Sequence, residues 1–73
     1  MSQFSERLRE LRQSKGITQK QLSTILKLSD RNYQRYEYGE REPTASTLLS
    51  IANFFNVSID FIVGRTENSE INK

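Results

Sequence analysis

The stretch of residues 18–39 constrains the fold more than any other part of the sequence. Its apolar spacing predicts two helices with only Lys27 and Leu28 between them. Residues that favour helix ends stand at the expected places: Thr18 and Gln21 as a capping box, Ser29 as the N-cap of the second helix, and Gly39 at its end. Because two residues are too few for a flexible link, the two helices must cross at a fixed angle.

The second of these helices, residues 29–38, has two chemically different faces. At about 3.6 residues per turn, Tyr33 and Tyr36 fall on one side, where they can pack inward. The opposite side carries four long side chains: Arg31, Gln34, Arg35 and Tyr38. A guanidinium group pairs with guanine and a carboxamide with adenine, so this face matches base edges in a DNA groove. The same pattern also fits the solvated face of an ordinary amphipathic helix.

Apolar stripes at helical spacing account for most of the remaining chain. They predict a first helix over residues 3–14, a fourth from about Ala45 to Phe55 with Thr44 as its N-cap, and a short fifth helix between Ser58 and Gly64. In the second helix the stripe is Leu22, Ile25 and Leu26. No run has strand periodicity, so the sequence predicts an all-α domain over residues 1–64. Residues 65–73 are polar and show no period, and we expect a disordered tail there.

The charge is unevenly divided along the chain. Residues 1–41 hold nine Lys/Arg and five Asp/Glu, a balance of +4, whereas residues 42–73 hold two and four, a balance of −2. The basic excess accompanies the two-helix stretch, as expected of a surface that binds nucleic acid. An imbalance of this size also arises by chance, so it supports that interpretation only weakly.

The residue types that are missing narrow the function. The chain has no Cys and no His, which removes disulfides, Cys/His zinc sites and histidine acid–base catalysis. The sequence also contains no Gly-rich phosphate loop and no nucleophile–base pair, so we expect no enzyme, no metal and no cofactor. The N-terminus has no signal-peptide pattern, and no apolar run is long enough to span a membrane. The absence of Cys suits a reducing, cytoplasmic location.

Three short motifs occur together at fixed spacing. They are T-Q-x-x-L at residues 18–22, R-Y-E-x-G-x-R-x-P at residues 35–43 and V-S-x-D at residues 57–60. In this combination the chain resembles the lambda-repressor-like, Cro/repressor-type helix-turn-helix family, also called the xenobiotic-response-element family. The resemblance covers about residues 4–64. It implies a compact five-helix DNA-binding domain in which helix 2 crosses the DNA backbone and helix 3 enters the major groove.

The resemblance also assigns contacts to individual positions. The base-reading residues would be Asp30, Arg31 and Arg35, with Gln34 as a fourth. The phosphate contacts would come from Gln19, Tyr38, Arg41 and Thr44. Two of these residues keep a structural alternative: Asp30 as a first-turn acid that interacts with the helix dipole, and Gln19 as part of a plain helix N-terminus.

Arg12 and Glu37 occupy positions where the resembled family has a structural ion pair between helices 1 and 3. Glu37 lies toward the inner face of its helix, where an acid needs a partner, so we expect this pair to form and to act on folding. Three positions depart from the family: Lys27 replaces the usual turn Gly, Ser23 the usual Ala, and Tyr33 the usual aliphatic anchor. Lys27 is strained if its φ is positive, and the Tyr33 hydroxyl needs a hydrogen-bond partner.

The fifth helix carries an apolar residue that its own packing does not use. Ile59 and Ile62 are expected inside, which leaves Phe61 exposed next to Val63. Such a patch fits self-association, and the resembled family often dimerises in this region, although scattered apolar surface residues are also ordinary. A dimer would hold two copies of helix 3 about 34 Å apart, matching a palindromic site.

The sequence therefore predicts a sequence-specific regulator of transcription that binds double-stranded DNA. The resemblance implies a bacterial or phage protein that acts as a homodimer, most often as a repressor that occludes a promoter. The alternative is a protein-interaction module, such as the antitoxin partner of a toxin, with Phe61 and the tail as its binding surface. In either case a protein partner can control the activity.

Overall fold

In a computed structural model of the protein, which describes residues 3–64, the chain folds into five α-helices. They are α1 Gln3–Ser14, α2 Gln19–Ile25, α3 Asp30–Glu37, α4 Ala45–Phe55 and α5 Ile59–Ile62. No strand is found within residues 3–64. The all-α prediction and the order of the five helices are thus confirmed, whereas the tail expected at 65–73 lies outside the described residues.

Four of the five helices have an N-cap residue with a hydroxyl side chain. Each hydroxyl accepts a hydrogen bond from a backbone N–H in the first turn, and the four residues are Thr18, Ser29, Thr44 and Ser58. The capping box predicted for α2 is complete, since the Gln21 side chain accepts from the Thr18 N–H at 2.8 Å. Each cap satisfies an N–H that the helix leaves open and contributes about 1 kcal/mol.

The turn between α2 and α3 contains a residue in the left-handed region. Lys27 has a φ of +59°, its N–H donates to the Thr24 carbonyl at 3.1 Å, and the Leu28 N–H donates to the Ser23 carbonyl at 2.9 Å. These two bonds form a Schellman motif, which usually contains Gly because a Cβ is strained there. Lys27 adopts this backbone at a cost of about 1 kcal/mol. The closed turn sets how α2 and α3 cross.

One apolar core joins all five helices. Its members are Phe4, Leu8, Leu22, Tyr33, Tyr36, Ile51, Ala52, Phe55, Val57 and Ile62. Helix α3 packs against both α1 and α2, and α5 packs against both α1 and α4. The rings of Phe4 and Tyr36 meet edge to face with 6.2 Å between their centres. The inner face of α3 is therefore held by the core, which leaves its outer face free.

One residue predicted for the apolar stripe of α2 faces outward instead. Ile25 is 45% exposed, so the prediction that it packs inward is wrong. In α2 both Leu22 and Ser23 are completely buried. The buried face of this helix is therefore centred between these two residues. Because successive residues are about 100° apart around a helix, a stripe centred between Leu22 and Ser23 excludes Ile25.

The last described residue returns to the first helix. Gly64 follows α5 with a φ of +82° and packs directly against the side chain of Gln3. A Cβ at Gly64 would lie 2.4 Å from the Gln3 Cβ, so no side chain fits there unless Gln3 moves. The described chain therefore begins and ends at the same place.

Candidate nucleic-acid interface

The outer face of α3 forms a shallow concavity with two arginines and an amide. It has a volume of about 270 Å³ and is lined by Arg31, Gln34, Arg35, Tyr38 and Glu40. Tyr33 and Tyr36 on the inner face are buried. The division into two faces predicted from helical spacing is therefore confirmed, and the four side chains expected on the outer face lie together.

The concavity also contains an acid that helical spacing does not single out. Glu40 follows Gly39, whose φ of +75° folds the chain back over the end of α3. The Glu40 N–H donates to the Arg35 carbonyl at 2.8 Å, and the Gly39 N–H donates to the Tyr36 carbonyl at 3.3 Å. This is a second Schellman motif. Gly39 is the feature of the sequence that could have predicted the position of Glu40. A left-handed residue after a helix brings the next residue back beside the last helical turn.

Asp30 is held by the preceding helix. The buried Ser23 hydroxyl lies 2.6 Å from Asp30 Oδ1 and 2.8 Å from the Lys20 carbonyl. The single hydroxyl hydrogen favours the carboxylate, since a hydrogen bond to an ionised acceptor is the stronger of the two. Asp30 thus has a structural partner at the start of α3, and a base contact would use its other carboxylate oxygen. This bond gives Asp30 a structural role that the sequence did not predict, and the base contact of Asp30 stays a prediction.

The residues expected at phosphates differ in their surroundings. Gln19 Nε2 donates to Glu37 Oε1 at 3.1 Å, so a buried acid orients this amide. Thr44 is the N-cap of α4, where its hydroxyl accepts from the Thr47 N–H at 3.2 Å. Tyr38 is the C-cap of α3 and is 54% exposed. Of these three residues, only Tyr38 has a side-chain polar group that makes no hydrogen bond within residues 3–64.

Arg41, the fourth residue expected at a phosphate, is folded back onto α3. Its Nη1 donates to Asn32 Oδ1 at 3.1 Å, and its Cζ lies 5.9 Å from the centre of the Tyr36 ring. The side chain remains exposed. An amide oxygen and an aromatic ring do not neutralise a guanidinium group, so Arg41 keeps its full charge available for an anion.

Glu37 is the buried charge on which α1, α2 and α3 converge. Its side chain is 1% exposed. Arg12 donates to it twice, from Nε to Oε2 at 2.7 Å and from Nη2 to Oε1 at 3.2 Å. The Tyr33 hydroxyl donates to Oε2 at 2.5 Å, and Gln19 donates to the other oxygen. The Arg12–Glu37 ion pair expected from the sequence is therefore present, and it is bidentate.

This cluster shifts the pKa values of three side chains. Burial alone would raise the pKa of Glu37, but the hydrogen bonds from Arg12, Tyr33 and Gln19 outweigh it, so this pKa lies below its usual value. Burial, followed by the bond to Glu37, raises the pKa of Tyr33, and the bond to Glu37 raises the pKa of Arg12. At neutral pH the cluster therefore consists of a carboxylate, a phenol and a guanidinium ion.

A second arginine of α1 completes the cluster. Arg9 Nη2 donates to the Glu37 backbone carbonyl at 3.2 Å, and Arg9 Nε lies 4.0 Å from Glu37 Oε1. Sequence reasoning missed this residue, although its three-residue spacing from Arg12 places both on one side of α1. Within residues 3–64, every buried polar side-chain atom has a hydrogen-bond partner. The cluster is therefore fully satisfied, which is the condition under which a buried polar network strengthens a fold.

Phe61 is not the exposed residue that the sequence predicted. It is half-buried against the core, and Arg7 Cζ lies 4.2 Å from the centre of its ring. The reason is that α1 packs on α5 and places a guanidinium over the ring, a favourable cation–π geometry. Val63, the C-cap of α5, is half-buried as well. The large exposed apolar side chains near this end belong to α4: Leu49 and Phe54 are 52% and 37% exposed.

The part of the chain that the structure describes has neither a membrane-spanning helix nor a cluster of metal ligands. None of the helices between residues 3 and 64 combines the length and the apolar character needed to cross a bilayer. The longest, α1, has 12 residues, whereas a spanning helix needs about 20. Across the same residues, no group of three Asp, Glu, His or Cys is placed to hold a metal ion.

Known proteins share this arrangement. The profile of a family described as helix-turn-helix matches residues 8–62. The HTH-type transcriptional regulator ImmR of Bacillus subtilis is 40% identical over 70 residues, which are 96% of this chain and 55% of ImmR. The chain thus spans a little over half the length of this relative.

Two solved structures are similar as well. The crystal structure of a transcriptional regulator from Listeria innocua superposes with a TM-score of 0.81 and 33% identity, over 88% of this chain and 60% of that one. The DNA-binding domain of the P22 C2 repressor superposes with a TM-score of 0.74 and 27% identity, over 81% of this chain and 78% of that one. The resemblance drawn from the three sequence motifs is confirmed, and this protein belongs to the helix-turn-helix family.

Proposed function

We propose that this protein is a sequence-specific regulator of transcription that binds double-stranded DNA through α3. The observation that carries the proposal is the outer face of α3, where Arg31, Gln34 and Arg35 line one concavity while the inner face is packed in the core. A helix presented in this way fits the major groove, and these side chains pair with guanine and adenine edges. Membership of the helix-turn-helix family supports the same function.

Contacts with DNA phosphates fix the orientation of α3 on the duplex. The N-terminus of α2 offers open N–H groups, and Gln19 has a second amide hydrogen beyond the one it donates to Glu37. Arg41 brings a full charge and Tyr38 an exposed hydroxyl. Thr44 contributes through the helix start that it caps, because its hydroxyl is already engaged. Contacts of this kind give affinity that falls with salt and carries no sequence preference.

Two copies acting together would read a palindromic operator. We assign the dimer contact to the α4–α5 end, where Phe61 and Val63 are half-buried and where Leu49 and Ile59 line a groove. A dimer with its two α3 helices about 34 Å apart places them in major grooves that are one turn of DNA apart. Bound over a promoter in the cytoplasm, it acts as a repressor, and the similarity to the P22 C2 repressor supports this direction of regulation.

Selection of binding sites from a random duplex pool, at near-physiological salt, tests the proposal. An enriched palindrome with G or C at fixed places in each half-site supports a dimer that reads with Arg31 and Arg35. A lone half-site keeps the DNA reader and removes the dimer. No enrichment overturns the proposal and favours a protein-interaction module, such as the antitoxin partner of a toxin.

Two variants control this selection. Ser50→Ala changes an exposed residue of α4 that lines neither the concavity nor the groove of Leu49 and Ile59, and it should enrich the same sequences as the unchanged protein. Arg31→Ala combined with Arg35→Ala should lose the enrichment while its helical circular dichroism stays unchanged. Loss of enrichment with both variants would point to damaged folding rather than to base reading.

A further inference from the structure

The acid in the α3 concavity has no place in the contacts proposed above. Glu40 lines the same 270 Å³ depression as Arg31 and Arg35, and its side chain is exposed. Within residues 3–64, no ion pair of 4.0 Å or less joins Glu40 to either arginine. Its negative charge is therefore not neutralised by a close contact, although it stands in the basic surface that a duplex would cover.

The backbone imposes the position of Glu40. Its N–H is bonded to the Arg35 carbonyl at 2.8 Å, and the left-handed turn at Gly39 directs the chain back over the end of α3. Helix α1 stands directly behind this turn, because a Cβ at Gly39 would lie 3.5 Å from Ser5 Oγ. The backbone of Glu40 is thus fixed at the edge of the concavity, and its side chain lines that depression.

A duplex that fills the concavity removes water from this carboxylate. A carboxylate accepts hydrogen bonds and cannot donate them. Phosphate oxygens, guanine O6 and thymine O4 are also acceptors, so they leave the carboxylate unpaired, and an unpaired charge in a dry interface is costly. The amino groups of cytosine N4 and adenine N6 donate from the major groove and replace the lost water.

We propose that Glu40 is a specificity-determining residue of the α3 surface. It weakens the binding of DNA in general and spares sequences that present a base amino group opposite it. This role presupposes the proposed function, because it concerns the same face of α3. Glu40 is the repulsive element beside the attractive Arg31 and Arg35, so it raises the ratio between operator and other DNA rather than the affinity itself.

Two matched substitutions test the role. Glu40→Gln removes the charge with little change of shape, and Glu42→Gln makes the same change of net charge at an exposed residue that does not line the concavity. Affinity for a random-sequence duplex should increase about tenfold more in Glu40→Gln than in Glu42→Gln, the size of a typical single-base penalty. Affinity for the selected site should increase less. Site selection with Glu40→Ala, which removes the acceptor oxygens that Gln in part keeps, should lose a preference for C or A at one position in each half-site.

Other results overturn the role. Equal increases for Glu40→Gln and Glu42→Gln would mean that Glu40 acts only through net charge, and unchanged base preferences in Glu40→Ala would mean that Glu40 reads no base. If the unchanged protein selects no site yet binds random duplexes, the proposed function fails. In that case, an affinity for random duplexes that increases more in Glu40→Gln than in Glu42→Gln still supports repulsion by Glu40. Equal affinities for the two variants would exclude this repulsion. A protein that binds no duplex removes both proposals.

Discussion

Two acids three residues apart each lie near two arginines, and they experience opposite conditions. Glu37 is 1% exposed and accepts hydrogen bonds from α1, α2 and α3, so every part of its charge is compensated. Glu40 is exposed, and no close ion pair within residues 3–64 compensates it. Burial with a full set of partners makes a charge part of the fold, whereas a similar charge at the surface acts on whatever is bound there.

Removing the buried acid should have the largest effect. Glu37→Ala leaves Arg12, whose side chain is 14% exposed, without its partner. We expect it to lower the free energy of unfolding by about 3–5 kcal/mol, measured by urea denaturation. A domain of this size has a small margin, so Glu37→Gln should be measured alongside it. Glu10→Ala on the exposed side of α1 should change stability by less than about 0.5 kcal/mol. A loss of DNA binding that exceeds the loss of folding would contradict the architectural role of Glu37.

Acid should remove the same charge without a substitution. The pKa of Glu37 is lowered in the folded protein. Its contribution to stability is therefore fully present above the unfolded value, near 4.5, and is lost as the pH falls through the folded value. We expect the free energy of unfolding to fall more steeply below about pH 5 in the unchanged protein than in Glu37→Gln. Parallel curves for the two proteins would assign the acid sensitivity to other carboxylates.

Tyr33→Phe should weaken the same cluster by a smaller amount. It deletes one donor to Glu37 Oε2 and leaves the ring in the core. A hydrogen bond to a charged group contributes about 1.5–3 kcal/mol, which is the expected loss in thermal or urea unfolding. Tyr36→Phe is the matched control, because its hydroxyl does not belong to this cluster. Equal losses for the two variants would show that the Glu37 contact adds nothing specific.

Arg31→Ala should weaken DNA binding by the α3 surface and leave the buried Glu37 cluster unchanged. We expect a loss of about 1–3 kcal/mol in binding to the selected site, with unfolding unchanged, because Arg31 is exposed and outside the core. Arg31→Lys keeps the charge and removes the planar fork, so it should recover phosphate attraction but not base preference. If Arg31→Ala weakens all duplexes equally, Arg31 is a phosphate contact and not a base reader.

Lys27→Gly should change the surroundings of neither Glu37 nor Glu40, and the free-energy change expected for it is the smallest of these predictions. It relieves the left-handed strain in the turn between α2 and α3, and we expect the free energy of unfolding to rise by up to about 1 kcal/mol. Lys27→Ala loses the same charge but keeps the strain, so it should not be stabilising. If the glycine variant is no more stable than the alanine variant, the turn carries no strain.

Local signals explain why so much of the fold was predictable. The hydroxyl caps and the glycines that end helices lie within a few residues of the boundaries they set, as at Ser29 and Gly39. The four side chains on the outer face of α3 follow from helical spacing alone. The Arg12–Glu37 pair followed from a family resemblance together with an acid on an inner face.

The features that escaped prediction depend on packing between distant elements. Gln19 turns toward Glu37 because α2 and α3 cross closely, and Phe61 is covered because α1 brings Arg7 over it. Ile25 is exposed because the buried side of α2 includes Ser23, which apolar spacing does not count. Glu40 escaped for a different reason, since it lies after the helix and helical spacing no longer applies to it.

The contact between Gly64 and Gln3 makes the described backbone an almost closed ring. Joining these two points with a short linker would require little rearrangement, and a cut elsewhere would then create new ends. The exposed loop at residues 40–42 is a poor place for such a cut, because Glu40 lines the concavity of α3. The bend at Lys15 and Gly16 is exposed and lies away from α3 in the sequence, so a circular permutant opened there should keep the ordering of all five helices around the core.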